Sequence, residues 1–193
     1  MGMTENQNAP DISVIIPVYN EEGNLDALRA ELWPVLEGLG ESFEVLFVDD
    51  GSTDGSPVIL RRFAEEDPRI RVIRFARNFG QQMANTAGLR HARGCAVIIM
   101  DADLQTPAEH IPELLAKLRE GYDIVYGRRE RTHDPLYRRW GSRAAGFLIN
   151  KTTGFRIPDS ASGFVALDER LVKTVNRYND RSRYLSGLFA WLS

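Results

Sequence analysis

Phe43-Glu44-Val45-Leu46-Phe47-Val48 runs straight into Asp49-Asp50-Gly51-Ser52-Thr53-Asp54. The first six residues read as a buried strand, because they are almost all apolar, with β-branched and aromatic side chains. The next six hold carboxylates, hydroxyls and a glycine, which is turn chemistry. The same abrupt change occurs on either side. Ile12–Pro17 leads into Pro17-Val18-Tyr19-Asn20-Glu21-Glu22, and Cys95–Met100 leads into Asp101-Ala102-Asp103-Leu104-Gln105. Between these runs the apolar spacing becomes helical. Leu25–Leu39 predicts a helix that Pro34 breaks or kinks. Pro57–Glu66 predicts a helix capped by Ser56, and Gln81–Ala92 another. Thr106-Pro107-Ala108-Glu109 reads as a capping box opening a helix to about Arg119. Ile70–Phe75 and Asp123–Tyr126 complete a set of five strands. Strands alternating with helices predict an α/β fold with a mostly parallel central sheet flanked by helices, in a single domain.

After Gly127 the rhythm changes. Arg128–Tyr137 reads as a loop, Trp140–Thr152 as a helix and Gly154–Ser162 as a second loop. Phe164–Leu167 is a short strand, Asp168–Asn176 a helix capped by Asp168, and Tyr184–Leu192 a last helical stretch. Residues 1–10 are expected to be a flexible tail.

Composition sets the class. The chain has 193 residues, 43% hydrophobic and 26% charged. That is ordinary globular usage and excludes disordered and collagen-like chains. The single cysteine, Cys95, excludes a disulfide framework and is expected to be a buried small hydrophobe. No signal peptide is visible in residues 1–10. The longest apolar run, Cys95–Met100, is far short of the ~20 residues that cross a bilayer. The net charge of −3 is an average. Residues 1–100 carry 9 arginines and 15 acids, whereas residues 101–193 carry 15 basic and 12 acidic residues. Six arginines fall within Arg128–Arg143. Arginine suits bidentate contact with phosphate or carboxylate, and equally a solvated surface.

In open parallel sheets, ligands bind outside the carboxyl ends of the strands. There the turns supply Glu21, Asp49, Asp50, Asp54, Asp101 and Asp103. Such acids repel one another unless a cation sits among them, and oxygen-only ligands select Mg²⁺ or Mn²⁺. In Asp101-Ala102-Asp103, one carboxylate can reach a metal and the other a neighbouring group, with Gln105 adding a neutral oxygen. Each acidic turn alone is more simply a turn former or helix cap; three on one edge favour a ligand site. The acidic Asp49–Asp54 turn suits a base N–H or ribose hydroxyls rather than phosphate, and it lacks the P-loop pattern. Tyr19 suits stacking on a base or plain packing. His91, His110 and His133 have no metal-ligand spacing, and no serine-hydrolase elbow occurs. Asp159 by itself is a turn residue.

Four motifs in order resemble family 2 glycosyltransferases. They are Pro17-Val18-Tyr19-Asn20-Glu21, Asp49-Asp50-Gly51-Ser52-Thr53-Asp54, Arg77-Asn78-Phe79-Gly80-Gln81 and Asp101-Ala102-Asp103-Leu104-Gln105. The branch is similar to the polyprenyl-phosphate glycosyltransferases, including dolichol-phosphate mannose synthases. The resemblance covers about Ile12 to the end of the chain and implies a Rossmann-like GT-A fold. It implies a nucleotide-sugar donor, with a UDP-sugar favoured over a GDP-sugar, and Mg²⁺ or Mn²⁺. Pro17, Tyr19, Glu21 and Asp50 would line the nucleoside pocket. Asp101 would face the nucleotide, while Asp103 and Gln105 would ligate the metal. Arg128 and Arg143 match positions near the acceptor phosphate, and Asp159 a loop aspartate near the reacting sugar. The acceptor implied is a polyprenyl phosphate such as undecaprenyl phosphate, met at the cytoplasmic face of the inner membrane. No nucleic acid is implied, and a homo-oligomer is compatible.

Members of this branch continue past a segment like Arg183-Tyr184-Leu185-Ser186-Gly187 into a basic loop, interface helices and often transmembrane helices. The expectation is therefore a catalytic domain over 11–193 that stops before them. Two rival readings are a non-catalytic nucleotide-sugar-binding or membrane-adaptor fragment, and a sugar nucleotidylyltransferase. The latter class opens on a Gly-rich basic loop that this chain lacks.

Overall fold

The computed structural model describes residues 9–127, 163–178 and 185–192. Six strands form one sheet in the order β3-β2-β1-β4-β6-β5. They are β1 (Ile12–Val18), β2 (Phe43–Asp49), β3 (Ile70–Arg74), β4 (Ala96–Ile99), β5 (Ile124–Tyr126) and β6 (Val165–Asp168). The first four are parallel neighbours, with Ile12 opposite both Phe43 and Ala96. β6 runs antiparallel to β4 on one side and to β5 on the other. The chain thus returns from beyond Gly127 to insert β6 between two earlier strands.

Helices cover both faces, so the sheet is the middle of three layers. The alternation of β1 explains how. Ile12, Val14, Ile16 and Val18 face a core completed by α1 (Leu25–Gly38), α2 (Ser56–Glu66) and α4 (Ile111–Arg119). Ile15, one residue out of phase, faces a second core with α3 (Gln81–His91), α5 (Glu169–Arg177) and α6 (Leu185–Leu192). β1 and β2 are consequently buried on both faces, as near-continuous apolar runs in parallel sheets are. Among the described residues no helix is long and apolar enough to cross a membrane.

Pro17 shows how this sheet opens toward its ligand edge. The Ile15 carbonyl accepts from Met100 on the β4 side, so Pro17, two residues on, also points that way. β4 has ended at Ile99, opposite Ile15, so the missing Pro17 N–H forfeits no ladder bond.

Four local expectations are corrected. Pro34 does not break α1, which continues to Gly38. Pro34 and Ala30 are both exposed, so the carbonyl that loses its partner faces water. Gly55, not Ser56, is the N-cap of α2, because the Ser56 hydroxyl accepts from the Glu21 N–H instead. The Thr106 capping box does not form. Pro107 is extended, Ala108–His110 make one 3₁₀ turn, and the α-helix starts at Ile111-Pro112. Cys95 is exposed rather than buried, since it precedes β4. By contrast, Asp168 caps α5 as expected, accepting from the Arg170 N–H.

Candidate functional site

The connections after β1, β2, β3 and β4 close on one cleft of about 320 Å³. It lies where the chain order reverses about β1, the switch point at which open α/β sheets bind ligands. Its volume falls at the small end of the roughly 300–1,000 Å³ of small-molecule sites. Pro17, Tyr19, Glu21, Asp50, Asp101 and Asp103 all line it. Gln105 is exposed and does not. Arg128, Arg143 and Asp159 lie outside the described residues.

The first two turns are zipped together. The Asn20 N–H donates to Ser52 Oγ at 3.0 Å, and the Thr53 N–H to Asn20 Oδ1 at 2.8 Å. The Glu22 N–H donates to Asp54 Oδ2 at 3.1 Å, and the Gly55 N–H returns to Glu22 Oε2 at 2.5 Å. Asn20 sits in the left-handed region at φ 56°, which Asn tolerates. Burial pushes the Asp54 carboxyl up, but hydrogen bonds from Ser56 and Glu22 outweigh it and hold it below its ordinary range. Asp49 is fully buried, accepts the Ser52 N–H at 2.8 Å and lies 3.2 Å from Arg74 Nε. Asp49 and Asp54 are therefore the turn formers among the acids.

Asp50 also works on the backbone. Its Oδ1 accepts from the Phe79 N–H at 2.7 Å and its Oδ2 from the Gly80 N–H at 2.8 Å. This brings Asn78, Gly80 and Gln81 into the cleft wall. Reading for carboxylates passes over this segment, which has none. The resemblance marks it as a motif, and its physical signal is Gly80, which takes φ 92° immediately before a helix.

Also in the cleft wall, Asp101 accepts from Gln81 Nε2 at 2.6 Å. Gly163 packs against the same carboxylate so closely that a Cβ there would collide with it. Asp103 Oδ1 accepts the Gln105 N–H at 3.0 Å, across Leu104 at φ 59°. The Glu21 carboxylate accepts from Asn24 Nδ2 at 2.6 Å.

No three His, Cys, Asp or Glu among the described residues gather into a metal cage. Two carboxylates on one side of an open cleft still fit a hard divalent cation. Mg²⁺ in particular is commonly bound by one or two carboxylates, with phosphate oxygens and waters completing its shell.

A family model described as glycosyl transferase family 2 matches residues 13–175. An uncharacterised glycosyltransferase of Synechocystis is 39% identical over 94% of this chain and 58% of its own length. An undecaprenyl-phosphate 4-deoxy-4-formamido-L-arabinose transferase of Shewanella sediminis is 38% identical, over 95% of this chain and 56% of its own length. The chain thus spans little more than half of these relatives. Two solved structures share the fold. A Pyrobaculum calidifontis mannosyltransferase, in complex with GDP-Man and Mn²⁺, has TM-score 0.59 and 22% identity, covering 88% of this chain and 47% of its own. Glucosyl-3-phosphoglycerate synthase from Mycobacterium tuberculosis, with Mn²⁺, UDP and phosphoglyceric acid, has TM-score 0.61 and 23% identity, covering 84% and 57%. With the GT-A sheet and its cleft, these matches make the chain a member of glycosyl transferase family 2.

Proposed function

We propose that the cleft binds a nucleotide-sugar and that the protein transfers the sugar, with inversion, to a polyprenyl phosphate such as undecaprenyl phosphate. The observation that carries this reading is the lining of the cleft. Tyr19, Glu21 and Asp50 line it together with Asp101 and Asp103, so one cleft offers an aromatic face, hydrogen-bonding carboxylates and a pair of cation-binding acids. A nucleotide diphosphate has the matching chemistry, a hydrogen-bonding base and ribose joined to anionic oxygens. Tyr19, 47% exposed, offers a ring face for the base. Pro17, Glu21 and Asp50 complete the nucleoside site.

The resemblance sets Gln105 with Asp103 on the metal and Asp101 against the nucleotide; since Gln105 does not line the cleft, we assign Mg²⁺ or Mn²⁺ to Asp103 together with Asp101. When bound, that cation offsets charge on the leaving diphosphate. In the transfer, the bond from the anomeric carbon to the diphosphate oxygen breaks. A bond from an acceptor phosphate oxygen to the opposite face of that carbon forms. A phosphate monoester is already ionised near neutral pH, so the attacking oxygen needs no strong base. Arg128 and Arg143 are assigned to the acceptor phosphate, and Asp159 to orienting the acceptor or offsetting positive charge on the sugar.

The relatives named as undecaprenyl-phosphate transferases support this acceptor, and with it we propose action at the cytoplasmic face of the inner membrane. A UDP-sugar is the favoured donor and a GDP-sugar the alternative. The test is mass-spectrometric detection of a glycosyl phospholipid after incubation with UDP-sugars or GDP-sugars, Mn²⁺ and undecaprenyl phosphate in detergent. Product dependent on both metal and lipid is expected. Metal-dependent nucleotide binding without product would instead make this chain a donor-binding piece.

A further inference from the structure

Gln81 opens α3 and its Nε2 donates to Asp101 Oδ1 at 2.6 Å within the cleft lining. Its own position is fixed by the residues before it, since both Phe79 and Gly80 donate their N–H groups to Asp50. On the far side Gly163 walls in the same Asp101 carboxylate. The carboxylate torsion of an aspartate is broad, so its direction is set by its hydrogen-bond partners. A neutral amide sets that direction without neutralising the charge. We propose that Gln81 is a positioning residue, holding Asp101 so that a divalent cation binds tightly once nucleotide is present. This rests on the nucleotide-and-cation reading above. Partners of this kind typically change metal affinity by about 10–100-fold.

The experiment is calorimetric titration of Mn²⁺ into protein saturated with UDP or GDP. It compares wild type with Gln81→Met, which keeps the length and loses the donor, and with Gln81→Lys, which keeps a donor but brings a positive charge. Gln81→Met is expected to weaken Mn²⁺ about tenfold while metal-free nucleotide affinity stays within about twofold. Gln81→Lys is expected to weaken Mn²⁺ at least as much, because its ammonium neutralises Asp101 and repels the cation. The bond is solvent-exposed, so the melting temperature should move by only about 1–3 °C. Unchanged Mn²⁺ affinity in Gln81→Met overturns the inference alone. So does an equal loss of metal-free nucleotide binding, outright unfolding, or wild-type Mn²⁺ affinity in Gln81→Lys. Wild type that binds neither nucleotide with Mn²⁺ overturns the functional reading, and this inference with it.

Discussion

A Cβ on Gly51 would stand 2.7 Å from the Cα of Arg77. The turn after β2 and the loop after β3 therefore touch backbone to backbone, and this contact lets Asp50 reach the Phe79 and Gly80 N–H groups.

Gly51→Ala should be among the most damaging small substitutions at this edge. Gly51 has φ +72°, where alanine is strained, and the added methyl also has no room. Strain of about 1–2 kcal/mol and overpacking of about 1–3 kcal/mol together predict roughly 2–5 kcal/mol of destabilisation. Urea denaturation measures it. A loss under about 0.5 kcal/mol, the size of an ordinary surface substitution, would show that the two loops do not approach this closely.

The opposite edge of the sheet is predicted to govern stability without touching the site. Glu44 is buried and accepts from Ser13 Oγ at 2.8 Å, from the Arg93 N–H at 2.9 Å, and from both arginines, Arg93 Nη2 at 2.7 Å and Arg71 Nη1 at 3.0 Å. Burial alone would raise its pKa, but Arg93, Ser13 and Arg71 hold it below the ordinary range. Glu44→Leu strands these donors. Both arginines are partly exposed, so the expected loss is roughly 2–3 kcal/mol, below that of a fully buried pair. Nucleotide affinity, measured by calorimetry, should change less than about twofold, well under one factor of ten.

Acid stability should carry a signature of Asp67. The Arg69 guanidinium, with help from the Arg69 and Trp33 N–H groups and against burial, lowers its pKa from 3.8 to about 2. A lowered folded pKa stabilises the fold above the unfolded value. That contribution is lost as the pH falls from about 4 toward about 2. About 2 kcal/mol should disappear across this window. In Asp67→Asn, the pH dependence of the urea midpoint should be flatter by that amount. An unchanged slope would contradict the assignment.

The layout of the sheet was legible because parallel strands buried on both faces are written as apolar runs, and each run here ends at an abrupt polar turn. The antiparallel insertion of β6 was not, since pairing between distant segments leaves no local period. The two capping errors, at Ser56 and the Thr106 box, came from reading adjacent residues alone, whereas the Ser56 hydroxyl is claimed by Glu21, far away in sequence. Asp49, Asp54 and Asp103 look alike as turn acids, and only tertiary hydrogen bonding separates the first two from the cleft. Asn78 and Gln81 went unassigned by chemistry because amides carry no charge to flag them.

The central claim is that this cleft takes a nucleotide together with a divalent cation through Asp101 and Asp103. Its most direct test is the melting temperature of wild type and Asp103→Ala with UDP, GDP and their sugars, each with and without Mn²⁺. A ligand that binds only the folded state, at a concentration 100 times its Kd, adds about 2.7 kcal/mol. One nucleotide series should raise the wild-type melting temperature by several degrees more with Mn²⁺ than without it, and that metal-dependent increment should vanish in a still-folded Asp103→Ala. No shift with any nucleotide, or the same metal-dependent increment in Asp103→Ala, would contradict the account.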